Sequence, residues 1–397
     1  MAYNDQSPGE IDPLLILRGL ASLGVLFVHS LNFGSDKILK LPQILNTDYD
    51  LPTFVKQLIL STYPTTGGNF VMCFFVLSGY LMGKVFLSSS TPVSIATTMK
   101  FYKRRFLRIA PLYYFNIFLC LALTSSSSPF SLATIGEVLF INNITGAAIN
   151  PVTWSLSYEM QYYIIAPLVY IMFRKRSLFT VLCIIATSAA FSTLLFVDKN
   201  NFLWIARFIF VFLTGYSVNI LLRLYHPHKN RVANVIGFSL FFLGNAFYYH
   251  LRNSGQEFQA QISLTLIMAV CLWILELPSH TSSYTNKGTQ HVFLRFWNWM
   301  GVLSYGVYLW HLPILNAQHP KLLSLCLHLR DQGWATSDWQ FFFLYQSVQL
   351  FIILSFTVTL SLFTFLFVEL KYRPNLYSAQ SGSVSSRIIN ALTLSKS

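Results

Sequence analysis

Ten apolar stretches, each of about 18 residues or more, constrain the fold of this chain more than any other feature of its sequence. A bilayer has a hydrocarbon core about 30 Å thick, so a helix needs roughly 20 apolar residues to cross it. Lipid offers no hydrogen-bond partners, and spanning segments of this kind must therefore be helical. We predict an all-α polytopic membrane protein with about ten transmembrane helices. The predicted spans are 11–31, 67–87, 106–123, 156–173, 178–197, 202–222, 232–249, 260–277, 297–315 and 341–368.

The composition excludes the common soluble classes of protein. Charged residues make up 10% of the chain and apolar residues 54%, whereas about a quarter of a soluble domain is charged. So little charge cannot cover a soluble globule, and so much apolar side chain excludes a disordered chain. The five Cys residues are too few for a disulfide scaffold, and their spacing does not indicate a zinc site. We therefore predict no metal.

The net charge of +13 is best explained by orientation in a membrane. Basic chains often bind nucleic acid, but in a chain this apolar the positive-inside rule accounts better for the surplus, and we expect no nucleic-acid partner. With the N-terminus inside, 19 of the 27 Lys and Arg residues lie on the inner side. We predict a cytoplasmic N-terminus (1–10), a transmembrane domain (11–369) and a cytoplasmic tail (370–397). The semi-apolar stretch 131–148 could be re-entrant.

Ionisable residues inside a span are costly, and each one is a hypothesis about function. Arg18 and His29 share the first span and are close to three helical turns apart. They therefore lie on one helical face, about 16 Å apart along the axis. A snorkelling Arg and an interfacial His would explain each residue alone. Both on one face favour a polar cavity that crosses much of the bilayer.

Three further spans carry ionisable groups. Arg105 and Arg108 are neighbours at i, i+3, and they form either a positive-inside anchor or a clamp for phosphate. Glu159 lies in an aromatic, apolar run and needs a partner, either a His or Arg of the cavity or a purely structural ion pair. His311 follows Trp310 and belongs either to an interfacial aromatic belt or to the site.

These residues lie in five segments that, in this order, resemble motifs of the acyltransferase-3 family of membrane acyltransferases. The resemblance runs from about residue 11 to residue 369 and is to the stand-alone type of member. Two stretches depart from the family pattern, at 70–73 and 369–374, and neither includes the Arg or His residues named above. The five segments are Leu17-Arg-Gly-Leu-Ala21 with His29, Phe74-Phe-Val-Leu-Ser-Gly-Tyr80, Arg105-Phe-Leu-Arg108-Ile-Ala-Pro111, Trp154-Ser-Leu-Ser-Tyr-Glu159 and Ser304-Tyr-Gly-Val-Tyr-Leu-Trp-His311-Leu-Pro313.

The resemblance implies transfer of an acyl group, most commonly acetyl, from cytoplasmic acetyl-CoA to a sugar hydroxyl. It implies a surface glycan such as O-antigen as the acceptor, and an integral protein of the bacterial inner (plasma) membrane. The expected partners are acyl-CoA, membrane lipid and a carbohydrate acceptor that could be lipid-linked. No metal is expected to take part.

The resemblance and the residues together assign expected roles to eight side chains. His29 is the expected general base for the acceptor hydroxyl, because histidine titrates near neutral pH. Glu159 is expected to orient His29 and to stabilise its charged form, as a carboxylate does in a catalytic dyad. The expected ligands of acyl-CoA are Arg18, Arg105 and Arg108, and the expected lining of the sugar site is Trp154, Tyr305 and His311.

Two alternatives stay open at the level of sequence. The acyl group could pass through a covalent intermediate on a His or on a serine such as Ser78 or Ser155. A transporter or flippase for a lipid-linked sugar or small anion would also use buried Arg, His and Glu residues.

Overall fold

The computed structural model describes residues 12–33, 43–45, 52–64, 66–87, 94–123, 131–173, 177–197, 207–225, 231–277 and 290–372. Within these ranges the chain is almost entirely helical and contains no β-strand. The α-helices are α1 (Pro13–Asn32), α2 (Thr53–Thr62), α3 (Gly68–Leu87), α4 (Ile95–Leu123), α5 (Leu132–Val138), α6 (Asn142–Thr145), α7 (Trp154–Phe173), α8 (Leu178–Val197), α9 (Ile209–Leu224), α10 (Arg231–Asn253), α11 (Glu257–Leu275), α12 (Gln290–Asp331) and α13 (Asp338–Thr364). A 3₁₀ turn (Pro151–Thr153) precedes α7, and a π turn (Phe365–Glu369) follows α13.

The all-α prediction is confirmed, since each of the ten predicted spans overlaps a helix of the described chain. Six helices of the described chain are long and apolar enough, by length and composition, to cross a membrane. These six are Pro13–Asn32, Gly68–Phe86, Ile95–Leu123, Val232–Asn253, Glu257–Leu275 and Asp338–Glu369. The count of ten spans and the inner position of both termini stay predictions.

Helix α12 is longer than the predicted span at 297–315. It continues to Asp331 even though it contains Pro313 and Pro320. The added turns are apolar on one side, and Leu322 and Cys326 are buried in a cluster with residues of α13. Burial of this face explains why a segment predicted as an outer loop is helical.

Glycines bring two helix pairs into very close contact. Helix α1 packs along α12, and α3 packs along α9. A Cβ atom added at Gly301 would lie 2.1 Å from the Leu15 carbonyl oxygen, and one at Gly79 would lie 2.0 Å from that of Phe212. Only glycine allows two backbones to approach this closely, as is common between membrane helices. These contacts fix the positions of α1 and α3, the two helices that carry much of the candidate site.

The segment 131–153 leads into α7 and is held by one buried carboxylate. Glu137 is 0% exposed. It accepts hydrogen bonds from Thr153 Oγ1 at 2.8 Å and Asn142 Nδ2 at 3.1 Å, and a further one from the Tyr113 hydroxyl. A buried carboxylate with several donors ties together the groups around it. Glu137 thus fixes the chain immediately before α7, where the Trp154-Ser-Leu-Ser-Tyr-Glu159 motif begins.

Candidate active site

A cavity inside the bundle brings the three predicted ligands of acyl-CoA together. Residues of α1, α3, α4, α7 and α12 form its wall. Arg18 comes from α1, and Arg105 and Arg108 come from α4. Two further predicted site residues, Glu159 and Tyr305, line the same cavity. The fold therefore brings five of the eight predicted site residues, from four helices, to one place.

Positive charge dominates the cavity. Its described lining includes three guanidinium groups and one carboxylate, and paired guanidinium groups suit the geometry of phosphate. The guanidinium of Arg105 lies 5.6 Å from the ring centroid of Phe101 and 5.3 Å from that of Tyr163. Contact with two aromatic faces restricts where that charge can move. The cavity is therefore preorganised for a ligand with several negative charges.

Glu159 belongs to this arginine cavity. Ser78 Oγ donates a hydrogen bond of 2.7 Å to Glu159 Oε1, and the Tyr163 hydroxyl donates to the same oxygen. Tyr163 also faces Arg105, so the carboxylate, the phenol and the guanidinium form one group. Glu159 was expected to orient His29, and its described hydrogen bonds are instead accepted from Ser78 and Tyr163. A catalytic role for Glu159 stays a prediction.

His29 is paired instead with His311. The two imidazoles are nearly coplanar and meet edge to edge, with their centroids 5.0 Å apart and their planes inclined by 13°. His29 Nδ1 lies 2.7 Å from His311 Nε2. His311 is 1% exposed, and its Nδ1 lies 2.6 Å from the carbonyl oxygen of Tyr308. His311, which was expected to line the sugar site, is therefore buried behind His29.

When both rings are neutral, these contacts determine which ring nitrogen of each histidine carries the hydrogen. A carbonyl oxygen can only accept, so His311 Nδ1 carries a hydrogen and donates it to Tyr308. His311 Nε2 then has a lone pair, and His29 Nδ1 must donate to it. The lone pair of His29 is consequently on Nε2. In the described part of the chain no hydrogen bond reaches that atom, so it is available to accept a proton.

Tyr308 connects the histidine pair to the arginine cavity. Its side chain lines the cavity, while its carbonyl oxygen holds His311. Its hydroxyl donates to the Val152 carbonyl oxygen at 2.8 Å and lies 2.7 Å from Ser155 Oγ. Ser155 also lines the cavity. Tyr308 therefore contacts both the histidine pair and the cavity, and neither histidine is among the residues described as lining that cavity.

Trp154 and Tyr305 are the other two residues that were expected to line the sugar site. Trp154 packs against Phe75, Tyr158 and Phe208, with centroids 6.0 to 6.3 Å apart, in an aromatic cluster beside the cavity. The Tyr305 hydroxyl donates to the Ile109 carbonyl oxygen at 2.8 Å, next to Arg108 in sequence. Their proposed contacts with a sugar stay predictions.

Several hydrogen-bond partners of the site residues were not predicted from the sequence. Tyr163 is four residues after Glu159, and this helical spacing was a usable signal for their contact. Ser78 lies in the 74–80 motif, but nothing in the sequence paired it with Glu159. His29 and His311 are 282 residues apart, and no local pattern links them. Within the described residues, no three His, Cys, Asp or Glu side chains are grouped to hold a metal ion.

Comparison with known proteins agrees with the resemblance seen in the motifs. The acyltransferase domain of the acyltransferase-3 family matches residues 11–368. Peptidoglycan O-acetyltransferase OatA of Listeria monocytogenes serovar 1/2a is 26% identical, over 63% of this chain and 45% of that protein. The chain thus matches less than half the length of this relative, and no solved structure matches it. From the family match over most of its length and its long apolar helices, this chain is an integral membrane protein that belongs to the acyltransferase-3 family.

Proposed function

We propose that this protein is a membrane O-acyltransferase. It transfers an acyl group, with acetyl as the first candidate, from acyl-CoA to a sugar hydroxyl of a surface glycan. The observations that carry the proposal are a cavity rich in arginine and a histidine pair with an available lone pair, both in contact with Tyr308, in a chain of this family. The relative's name specifies peptidoglycan, and the motif resemblance suggests O-antigen; both are carbohydrates.

The positive charge of the arginine cavity complements the negative charge of the donor. Coenzyme A carries several phosphates at one end and the thioester at the other, joined by a long flexible arm. Arg105 and Arg108, near the predicted inner end of the span 106–123, hold phosphate groups, and Arg18 neutralises further negative charge. The arm then extends along α1 toward His29, which lies about 16 Å along the helix from Arg18.

Transfer takes place beside His29. His29 Nε2 removes the proton of the acceptor hydroxyl while that oxygen attacks the thioester carbonyl carbon. The new C–O bond forms, the C–S bond breaks, and the departing thiolate takes the proton from His29. The products are the sugar ester and CoA with a free thiol. His311 holds the base in the required tautomer and stabilises the transient charge on His29.

Labelled acetyl-CoA tests the proposal directly. Membranes that contain the protein are incubated with [¹⁴C]acetyl-CoA and either peptidoglycan or lipopolysaccharide, and ester-linked label is measured on each glycan. We expect label on one of them, and none with membranes that contain His29→Ala at an equal level. Movement of glycan across the membrane without any label on it would overturn the proposal in favour of a flippase.

A further inference from the structure

We infer that Gly67 controls the access of the acceptor to the base: Thr66 and Gly67, directly before α3, form the acceptor-side wall of the histidine pair, and the absence of a side chain at Gly67 leaves His29 Nε2 reachable by a sugar hydroxyl. This inference rests on the proposed function. It assigns the acceptor's approach to a surface different from the arginine cavity.

Gly67 lies close to His29 Nε2, the atom proposed as the base. A Cβ atom built at Gly67 would lie 3.6 Å from His29 Nε2 and 3.4 Å from Val25 Cγ1. These are ordinary van der Waals distances, so the structure would accept a methyl group there. An oxygen that hydrogen bonds to Nε2 sits about 2.8 Å from it, and a methyl group would compete for that space.

Hydrogen bonds from two helices hold the main chain of this wall in place. Asn32, at the end of α1, donates to the Pro64 carbonyl oxygen at 2.7 Å. The Tyr249 hydroxyl, from α10, lies 2.9 Å from the Thr66 carbonyl oxygen. Side chains of two helices therefore bind the main chain on the approach to Gly67. The distance between Gly67 and His29 is set by these contacts.

A buried amide pair fixes the other side of Gly67. Asn69 Nδ2 donates to Asn245 Oδ1 at 2.7 Å, and the Tyr249 hydroxyl lies 2.8 Å from Asn69 Oδ1. Asn69 is completely buried. Buried polar groups that satisfy one another hold a single arrangement, so the start of α3 cannot shift away from α10 at little cost.

The residues that line the donor cavity and Gly67 follow one another along the direction of α3. Ser78, beside Glu159 and the arginines, lines the cavity, and so does Val71 toward the start of the helix. Gly67 is one further turn beyond Val71, about 6 Å along the axis. The donor cavity and the Gly67 wall therefore follow one another along α3, and His29 lies beside the wall. A donor and an acceptor can reach the base from different sides.

The matched variants are Gly67→Ala and Gly68→Ala. A Cβ atom at Gly68, the first residue of α3, would lie 3.6 Å from Thr66 Oγ1 and 4.0 Å from the Tyr248 hydroxyl, so the control adds the same methyl group to the next residue but away from His29. The proteins are purified in detergent, and transfer from acetyl-CoA is measured with the glycan, peptidoglycan or lipopolysaccharide, that the wild-type protein labels. Binding of acetyl-CoA is measured separately.

We expect Gly67→Ala to lower kcat/KM for the glycan by about tenfold to a hundredfold, because the reacting groups can no longer reach bonding distance. Gly68→Ala should stay within twofold of the wild-type value, and both variants should bind acetyl-CoA with unchanged affinity. If Gly67→Ala fails to bind acetyl-CoA, the double variant Val25→Ala/Gly67→Ala relieves the 3.4 Å contact and is measured in its place.

The outcomes separate the two proposals. No transfer by the wild-type protein to either glycan contradicts the proposed function itself. Normal wild-type transfer with an unchanged kcat/KM for Gly67→Ala overturns the inference about the wall alone. An equal loss in Gly68→Ala also overturns it, because the effect would then belong to the segment as a whole and not to the space beside His29.

Discussion

The two histidines of the site have unequal tasks, because the Tyr308 carbonyl fixes the direction of the hydrogen bonds. His29 has the lone pair that faces an incoming hydroxyl, while His311 has one that only His29 uses. Under the proposed function His311 is therefore a positioning residue. Its loss should impair the rate of transfer and not the binding of either substrate.

We predict that His311→Ala lowers kcat by about 100-fold, because a misoriented base loses most of the benefit of general base catalysis. His311→Gln should restore part of the rate, since its amide oxygen can accept from His29 Nδ1. Initial rates with labelled acetyl-CoA measure both, and His29→Ala defines the inactive baseline. A KM for acetyl-CoA that rises while kcat is unchanged would assign His311 to substrate binding instead.

Arg105 should act on the donor alone. Arg105→Lys retains the charge but loses the planar contact with Phe101 and Tyr163 and the paired donors for phosphate. We expect the KM for acetyl-CoA to rise about tenfold, the equivalent of about 1.4 kcal/mol. Arg104→Ala, on the same helix but exposed and outside the cavity, is the control. Equal KM values for both variants would make Arg105 a membrane anchor.

Local sequence spacing predicted some contacts between residues and not others. Arg105 and Arg108 are one helical turn apart, so their neighbourhood follows from helical geometry. The pairing of His29 with His311 depends on how α1 packs against α12. Glu137 gave no signal either, because its donors come from separate turns and helices. Contacts that depend on tertiary packing are not encoded in any short stretch of sequence.

At the scale of elements, the glycine contacts determine how closely helices pack. Gly301→Ala would place a Cβ atom 2.1 Å from the Leu15 carbonyl oxygen, and α12 would have to move away from α1. We expect a loss of about 1–3 kcal/mol in stability, as for other overpacked sites. Thermal unfolding in detergent measures it, with Gly68→Ala as the control. Identical melting temperatures for the two variants would contradict the observed packing.

The segment before α7 should depend on Glu137. Glu137→Ala leaves the Tyr113, Asn142 and Thr153 donors without this acceptor, at a cost of about 1–3 kcal/mol for each group left unsatisfied. Glu137→Gln retains one accepting oxygen and should be milder. Protease cleavage within 131–153 should become faster in the order wild type, Gln, Ala. The same cleavage rate in all three would contradict a structural role for Glu137.

Apolar length predicted the helical elements well, because a lipid environment leaves the backbone no alternative to a helix. Apolar length does not predict helical turns that depend on burial within the protein. The continuation of α12 to Asp331 depends on burial of Leu322 and Cys326 against α13, which apolar length alone did not indicate. The short helices α5 and α6 lie in the stretch that was predicted only as semi-apolar.

For the whole molecule, the charge distribution gives a testable orientation. We predict that both termini are cytoplasmic, because 19 of the 27 basic residues then lie on the inner side. Fusions to green fluorescent protein at either terminus should fluoresce, whereas alkaline phosphatase at the same places should be inactive. A single Cys introduced at Ser61 of α2 should react with a membrane-impermeant maleimide in intact cells. The opposite pattern would reverse the two sides of the site.

The backbone contacts at Gly79 and Gly301 bear on how such a protein works as a whole. A transporter must slide or rock its helices past one another to open each side in turn, and interlocked backbones resist that. Under the proposed function no complete molecule has to cross. The CoA nucleotide stays on one face of the membrane and the glycan on the other, and only the acetyl group is transferred between them. A stiff bundle is then an advantage, since it keeps the two compartments sealed during every turnover.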